Sequence, residues 1–263
     1  MRASRVKAKL RKGEPALLTT LHLTDPSLYE LTSLAGFDGI WMDLEHHGYS
    51  VETASALMRA ARVGCSDIMA RPGKGEFMRL GRLLESGAQG ILYPRCDNAD
   101  EAREVVKWSK FAPLGRRGFD GGNPDMPYCT MPMADYIKQA NDETFLALQI
   151  EDGDALNQVE AIAAVEGVDV IFFGPADFTV LSGIPGQFDH PIVQQAIERV
   201  AKAARDAGKH WGMPVGTPER AKQLMDLGAR FICHGADIIH VKNGLEEIQR
   251  RFAPLGFRFG NSP

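Results

Sequence analysis

Cysteine is scarce in this chain: four in 263 residues, at positions 65, 96, 129 and 233, with no C-x-x-C pair among them. That spacing argues against a structural zinc site and against a disulfide framework, so the thiols read as buried or incidental. Long apolar runs are missing as well; none approaches the length needed to cross a bilayer. The basic start, "MRASRVKAKLRKG", is not followed by the apolar core of a signal peptide. No excess of one charge appears either, since the net charge is only -4 and Lys and Arg are scattered rather than gathered into a stripe. Nucleic acid and membrane are therefore not expected partners, and a soluble, cytoplasmic protein is the expectation. Low-complexity tracts and Pro/Ser-rich linkers are absent too.

What is present is a repeating rhythm. Hydrophobic residues make up 44% and charged ones 24%, the balance of a chain with a sizeable core. Short β-rich runs fall at 16–23, 39–45, 67–72, 90–96, 145–151, 168–175, 210–215 and 230–237, with helical patterns between them. Several of those helices open on Asp, Ser, Asn or Thr and close on Gly. Eight β-then-α units imply an α/β fold, a (β/α)8 TIM barrel formed as one domain over residues 1–263. A doubly wound sheet is the other architecture with this alternation. Residues 111–144 break the rhythm and read as a long Gly/Pro-containing loop insertion, a lid, binding loop or subunit contact.

In a barrel, chemistry collects at the carboxyl ends of the strands. The second run ends in "WMDLEHHGYS", which brings Asp43, Glu45, His46 and His47 to the mouth; the third ends in Arg71, the fifth in Gln149 and Glu151, and the sixth runs through "GPAD" to Asp177. Alternation along "FLALQIE" puts Gln149 and Glu151 on one face, opposite Leu148 and Ile150. Neighbouring strands lie about 4.8 Å apart, so Glu151 and Asp177 come close enough to share one cation. Two acids with no cysteine and no histidine trio favour Mg2+ or Mn2+, with Co2+ also admissible. Acids at strand ends also cap helices, which is the plainer role for either one alone. Arg71 can clamp a carboxylate or stabilise an enolate oxygen, and His46 is the candidate general base because imidazole titrates near neutrality. None of the eight strand ends carries a lysine, which speaks against imine chemistry.

Those same residues carry a resemblance. "LTSLAGFDGIWMDLEH", "LLESGAQGILYPRCDNADEAREVVKWSKFAPLGRRG", "LQIED" and "VEGVDVIFFGPADFT" are similar to the HpcH/HpaI aldolases, metal-dependent enzymes that form pyruvate, over nearly the whole chain. The resemblance implies a barrel that assembles as a homohexamer, a trimer of dimers, with an exchanged C-terminal helix. It implies His46 as catalytic base, Arg71 as enolate stabiliser, Glu151 and Asp177 as metal ligands, and Gln149 and Ala176 as pyruvate-binding positions. An Asp of the family, held to raise the basicity of the histidine, falls on Glu85, near the end of a helix that the intrachain reading does not bring to the mouth. Leu44-Glu45-His46-His47-Gly48 also departs from the family's Gly-Glu-His-Ala-Pro. The implied reaction is reversible cleavage of a 4-hydroxy-2-oxo acid to pyruvate and an aldehyde, of the kind used in aromatic or sugar acid catabolism. A related acyl-lyase or decarboxylase, or a non-catalytic barrel binding a 2-oxo acid, stays open at this point.

Overall fold

In the computed structural model, which describes residues 2–260, eight parallel strands close on one another in chain order. They are β1 (Ala16–Leu21), β2 (Gly39–Asp43), β3 (Asp67–Arg71), β4 (Gly90–Tyr93), β5 (Phe145–Ile150), β6 (Val170–Phe173), β7 (His210–Val215) and β8 (Phe231–Ala236). The barrel, not the doubly wound sheet, is the architecture, because β8 pairs back onto β1. Period-two alternation sorts the side chains. Trp41, Met69, Leu92, Phe145, Ala147, Val170, Phe172 and Phe231 pack together in the interior, while Ile40, Met42, Ile68, Leu146, Leu148 and Ile150 belong to the layer under the helices. Phe172 stacks edge-on against both Trp41 and Phe231, so the interior is filled rather than hollow.

One end of that interior is sealed. The basic start forms a helix, α1 (Arg5–Arg11), whose Val6 and Leu10 join the interior cluster. Its cations pair with acids at the amino ends of the strands: Arg5 and Lys9 with Asp38, each at 2.7 Å, and Lys7 with Asp169 at 2.8 Å. With the amino end plugged, the carboxyl ends are left to hold the site.

Around the barrel run α2 (Pro26–Leu34), α3 (Val51–Ala60), α4 (Phe77–Ser86), α5 (Ala99–Ser109), α6 (Met133–Glu143), α7 (Gly153–Asn157), α8 (Val159–Ala163), α9 (Pro175–Leu181), α10 (Pro191–Asp206), α11 (Pro218–Asp226) and α12 (Asp237–Phe252). Side chains of Asp25, Ser50, Asn98, Asp152 and Thr217 cap α2, α3, α5, α7 and α11 as the sequence suggests. Two stretches differ from the sequence reading. Within 111–144 the chain forms α6, because Tyr136 and Ala140, four apart, bury one face against Phe111 and Met126. The segment after β5 is two short helices divided at Gln158 rather than one.

Candidate active site

Register brings the first pair together. Asp43 and Arg71 are partners across β2 and β3, both ending their strands with inward-pointing side chains. Arg71 donates from Nε to Asp43 Oδ1 at 2.9 Å and from Nη2 to Oδ2 at 2.7 Å, a bidentate fork that fixes the guanidinium plane. The guanidinium also lies 4.7 Å over the Trp41 ring, which blocks it from below. Burial alone would raise the Asp43 carboxyl, but the two bonds from Arg71 hold it below the usual carboxylate range. Arg71 Nη1 reaches Gln149 Oε1 at 3.5 Å, so the arginine joins β2, β3 and β5 across the mouth.

Gln149 in turn donates from Nε2 to Glu151 Oε1, and the Arg95 backbone N–H donates to Glu151 Oε2 at 3.1 Å. Burial and the negative charge of Asp177 push the Glu151 carboxyl up to about 7, against the pull of Arg71. Asp177 stands in the first turn of α9, where the helix dipole favours an anion. Gly174, between β6 and α9, permits this packing: a Cβ there would collide with the Glu151 carboxylate. Two hard oxygen donors, with the charge of Asp177 disfavouring that of Glu151, fit a divalent cation. Among the described residues no group of three His, Cys, Asp or Glu forms a cage, so such an ion would keep positions for water and substrate oxygens.

His46 lies at the rim, its side chain 51% exposed, with Nε2 3.7 Å from Glu45 Oε2. The Asp43 carboxylate serves Arg71 instead, and the imidazole within ion-pair reach of it is that of His47, at 3.9 Å. Glu45 sits among Arg71 at 3.3 Å, His46 at 3.7 Å and Arg95 at 3.8 Å, and its Oε2 is buried without a hydrogen bond. Arg95, the penultimate residue of the fourth run (90–96), is not among the strand-end residues read from the sequence. Its backbone is left-handed, with φ 47°, and its Nη2 lies 3.7 Å from Asp177. Glu85 is not brought to the mouth within this chain; it sits on α4 in the charge field of Arg117, Asp120 and Asp125, and burial raises its carboxyl.

His46, Arg71, Gln149, Glu151, Ala176 and Asp177 line one cavity of about 880 Å3. Its far wall comes from β7, the segment 214–220 and the start of α10, through residues such as Met213, Val215, Arg220 and Val193. An apolar pocket with convergent acids, a fixed arginine and a rim histidine has the composition of a small-molecule catalytic site.

The sequence matches the family model described as HpcH/HpaI aldolase/citrate lyase over residues 19–244. A 4-hydroxy-2-oxo-heptane-1,7-dioate aldolase of Shigella sonnei (strain Ss046) is 35% identical over 246 residues, 94% of either chain. Among solved structures, an HpcH/HpaI aldolase from Desulfitobacterium hafniense DCB-2 superposes with a TM-score of 0.87 at 28% identity, covering 98% of both chains. An HpcH/HpaI aldolase/citrate lyase family protein from Burkholderia cenocepacia J2315 gives 0.87 at 28% identity, covering 95% of this chain and 99% of that one.

Proposed function

Because the chain belongs to the HpcH/HpaI aldolase/citrate lyase family and is an aldolase, a carbon–carbon lyase, we propose that it reversibly cleaves a 4-hydroxy-2-oxo acid to pyruvate and an aldehyde. The observation that carries the reading is the Arg71 guanidinium, locked by Asp43 and aimed past Gln149 toward the carboxylate pair. A donor fixed before substrate arrives loses little in reorganisation when charge develops on oxygen. As the C3–C4 bond breaks, the electron pair moves onto the 2-oxo oxygen and Arg71 shares the resulting negative charge. The Gln149 amide orients the same group. His46, half-exposed at the rim beside Glu45, takes the 4-hydroxyl proton in cleavage and the enolate C3 gains a proton to give pyruvate; in synthesis a pyruvate methyl proton is removed and the new hydroxyl is protonated from His46. Glu151 and Asp177 would hold a divalent ion, Mg2+ or Mn2+ with Co2+ admissible, which when bound supplies Lewis acidity toward the 2-oxo carbonyl.

The finer expectations belong to the same proposal: one barrel domain over 1–263, a cytoplasmic protein, a homohexamer with exchanged C-terminal helices, and a place in aromatic or sugar acid catabolism. The last helix bears on the assembly. Among the described residues no helix is long and apolar enough to cross a membrane, and α12 buries only Asp237 within its own chain. Glu85 would act on a histidine only across such an assembly.

Exchange of the pyruvate methyl protons in D2O tests the half-reaction without any aldehyde. Exchange is expected with Mg2+ or Mn2+, to be abolished by EDTA, and to fall by orders of magnitude in His46→Ala. Exchange that survives exhaustive chelation would remove the carboxylate pair from the chemistry.

A further inference from the structure

The cavity contains a second kind of arginine. Arg71 is matched by Asp43, and Arg95 lies near Glu45 and Asp177. Arg220, in the first turn of α11 on the far wall, forms no ion pair among the described residues. Its partners are neutral: Nη2 donates to Gln194 Oε1 at 2.7 Å and Nη1 to Gln223 Oε1 at 3.1 Å. Gln194 is itself held, donating from Nε2 to the Phe188 carbonyl at 2.9 Å. The contrast with nearby exposed cations is informative, since Lys222 is answered by Asp226 and Lys202 by Asp206.

Two amide oxygens orient a guanidinium without neutralising it. Nε and one hydrogen on each terminal nitrogen stay free, in a half-buried position where an anion would gain more than it could in water. Asp189 and Glu219 also line this wall, exposed and outside ion-pair reach of Arg220, so an anionic ligand is repelled to either side of it and attracted at one point. Met213, Val215 and Val193 cover the path between the two ends of the cavity with apolar surface. That surface suits a short carbon chain.

We infer that Arg220 is the residue that selects the aldehyde, by binding an anionic group, carboxylate or phosphate, at the end remote from the carbonyl. The inference rests on the aldolase reading above and adds to it the residue that discriminates and the chemical class it favours. The reaction itself is unchanged: the enolate carbon attacks the aldehyde carbon, and the new hydroxyl takes one proton.

The test compares kcat/KM for pyruvate addition to succinic semialdehyde, glyceraldehyde 3-phosphate and uncharged butanal, in the wild-type enzyme, Arg220→Met and Arg220→Lys. The wild-type enzyme should favour at least one anionic aldehyde over butanal, and the preferred one identifies carboxylate or phosphate. Arg220→Met should lower that anionic-to-neutral ratio about ten- to a hundredfold, mostly through KM, the size expected for one charge-assisted contact. Arg220→Lys should recover part of it, which a merely structural role would not do. No anionic preference in the wild type, or an unchanged ratio in Arg220→Met, overturns the inference. Failure of the aldolase reading looks different: the wild-type enzyme would then not exchange pyruvate protons at all.

Discussion

At position 71 the difference between a positive charge and a shaped positive charge decides the chemistry. The guanidinium uses two parallel bonds to Asp43 while lying over one ring face of Trp41, and lysine, a point charge without a planar fork, cannot make both at once. Arg71→Lys is therefore expected to keep the fold and to lower kcat about a hundred- to a thousandfold, as loss of a preorganised oxyanion donor does. Asp43→Asn should do comparable damage through Arg71, and should also lower the melting temperature by leaving a buried cation half-matched. The neighbouring carboxylate makes the site pH-sensitive. With the Glu151 carboxyl pushed up to about 7 in the metal-free protein, a divalent ion must displace a proton below that pH. Mn2+ affinity, followed by electron paramagnetic resonance, is expected to rise about tenfold per pH unit up to neutrality and then level off. The sign for folding is the reverse: a carboxyl raised in the folded state stabilises the metal-free protein at low pH, and that contribution is lost as pH rises through about 7. A pH-independent Mn2+ affinity would show that Glu151 does not bind the ion.

The β6–α9 junction shows how an element positions a ligand. Strand β6 ends at Phe173, Gly174 turns the chain, and α9 begins at Pro175, so Asp177 arrives within one helical turn beside the end of β5. Gly174 donates its N–H to the Ile150 carbonyl at 2.9 Å and has no side chain to meet Glu151. Gly174→Ala is expected to unfold within a few degrees of the wild type yet to lose Mn2+ binding and proton exchange together, because the alanine methyl would displace the Glu151 carboxylate. This geometry was legible in the sequence in outline. Alternation in "FLALQIE" put Gln149 and Glu151 on the inner face, and the structure has them there. The strand-end rule also reached Arg71 and Asp177. It could not say which carboxylate Arg71 would take, since Asp43 and Glu45 share a parity and only the register of β2 on β3 separates them. Arg95 escaped because a left-handed residue after a proline reads as a turn, and α6 escaped because the Gly and Pro of 111–132 obscured the helical spacing behind them.

For the molecule as a whole, the unanswered surface is the last helix. Ile238, Val241, Leu245, Ile248 and Phe252 follow one another at intervals of three and four, the spacing of a single apolar stripe, and all are between 43% and 57% exposed. A stripe of that length on a helix that buries only Asp237 is a surface for another protein face rather than for water. The barrel supplies a matching vacancy in its helical layer: beside β1 and β8, a cavity of about 320 Å3 is lined by Leu17, Val215, Ala221, Met225 and Ile232. Exchange of α12 between two copies would bury both at once, and Asp237, which accepts the N–H groups of His22 and Leu23, would fix the direction in which the helix leaves β8. Leu245→Arg with Ile248→Arg places two charges in that stripe without touching the mouth. If the proposed hexamer is the state of the wild type, the double variant is expected to sediment as a smaller species, and to lose several degrees of thermal stability. If it sediments with the wild type, the apolar stripe is not the surface that holds the subunits together.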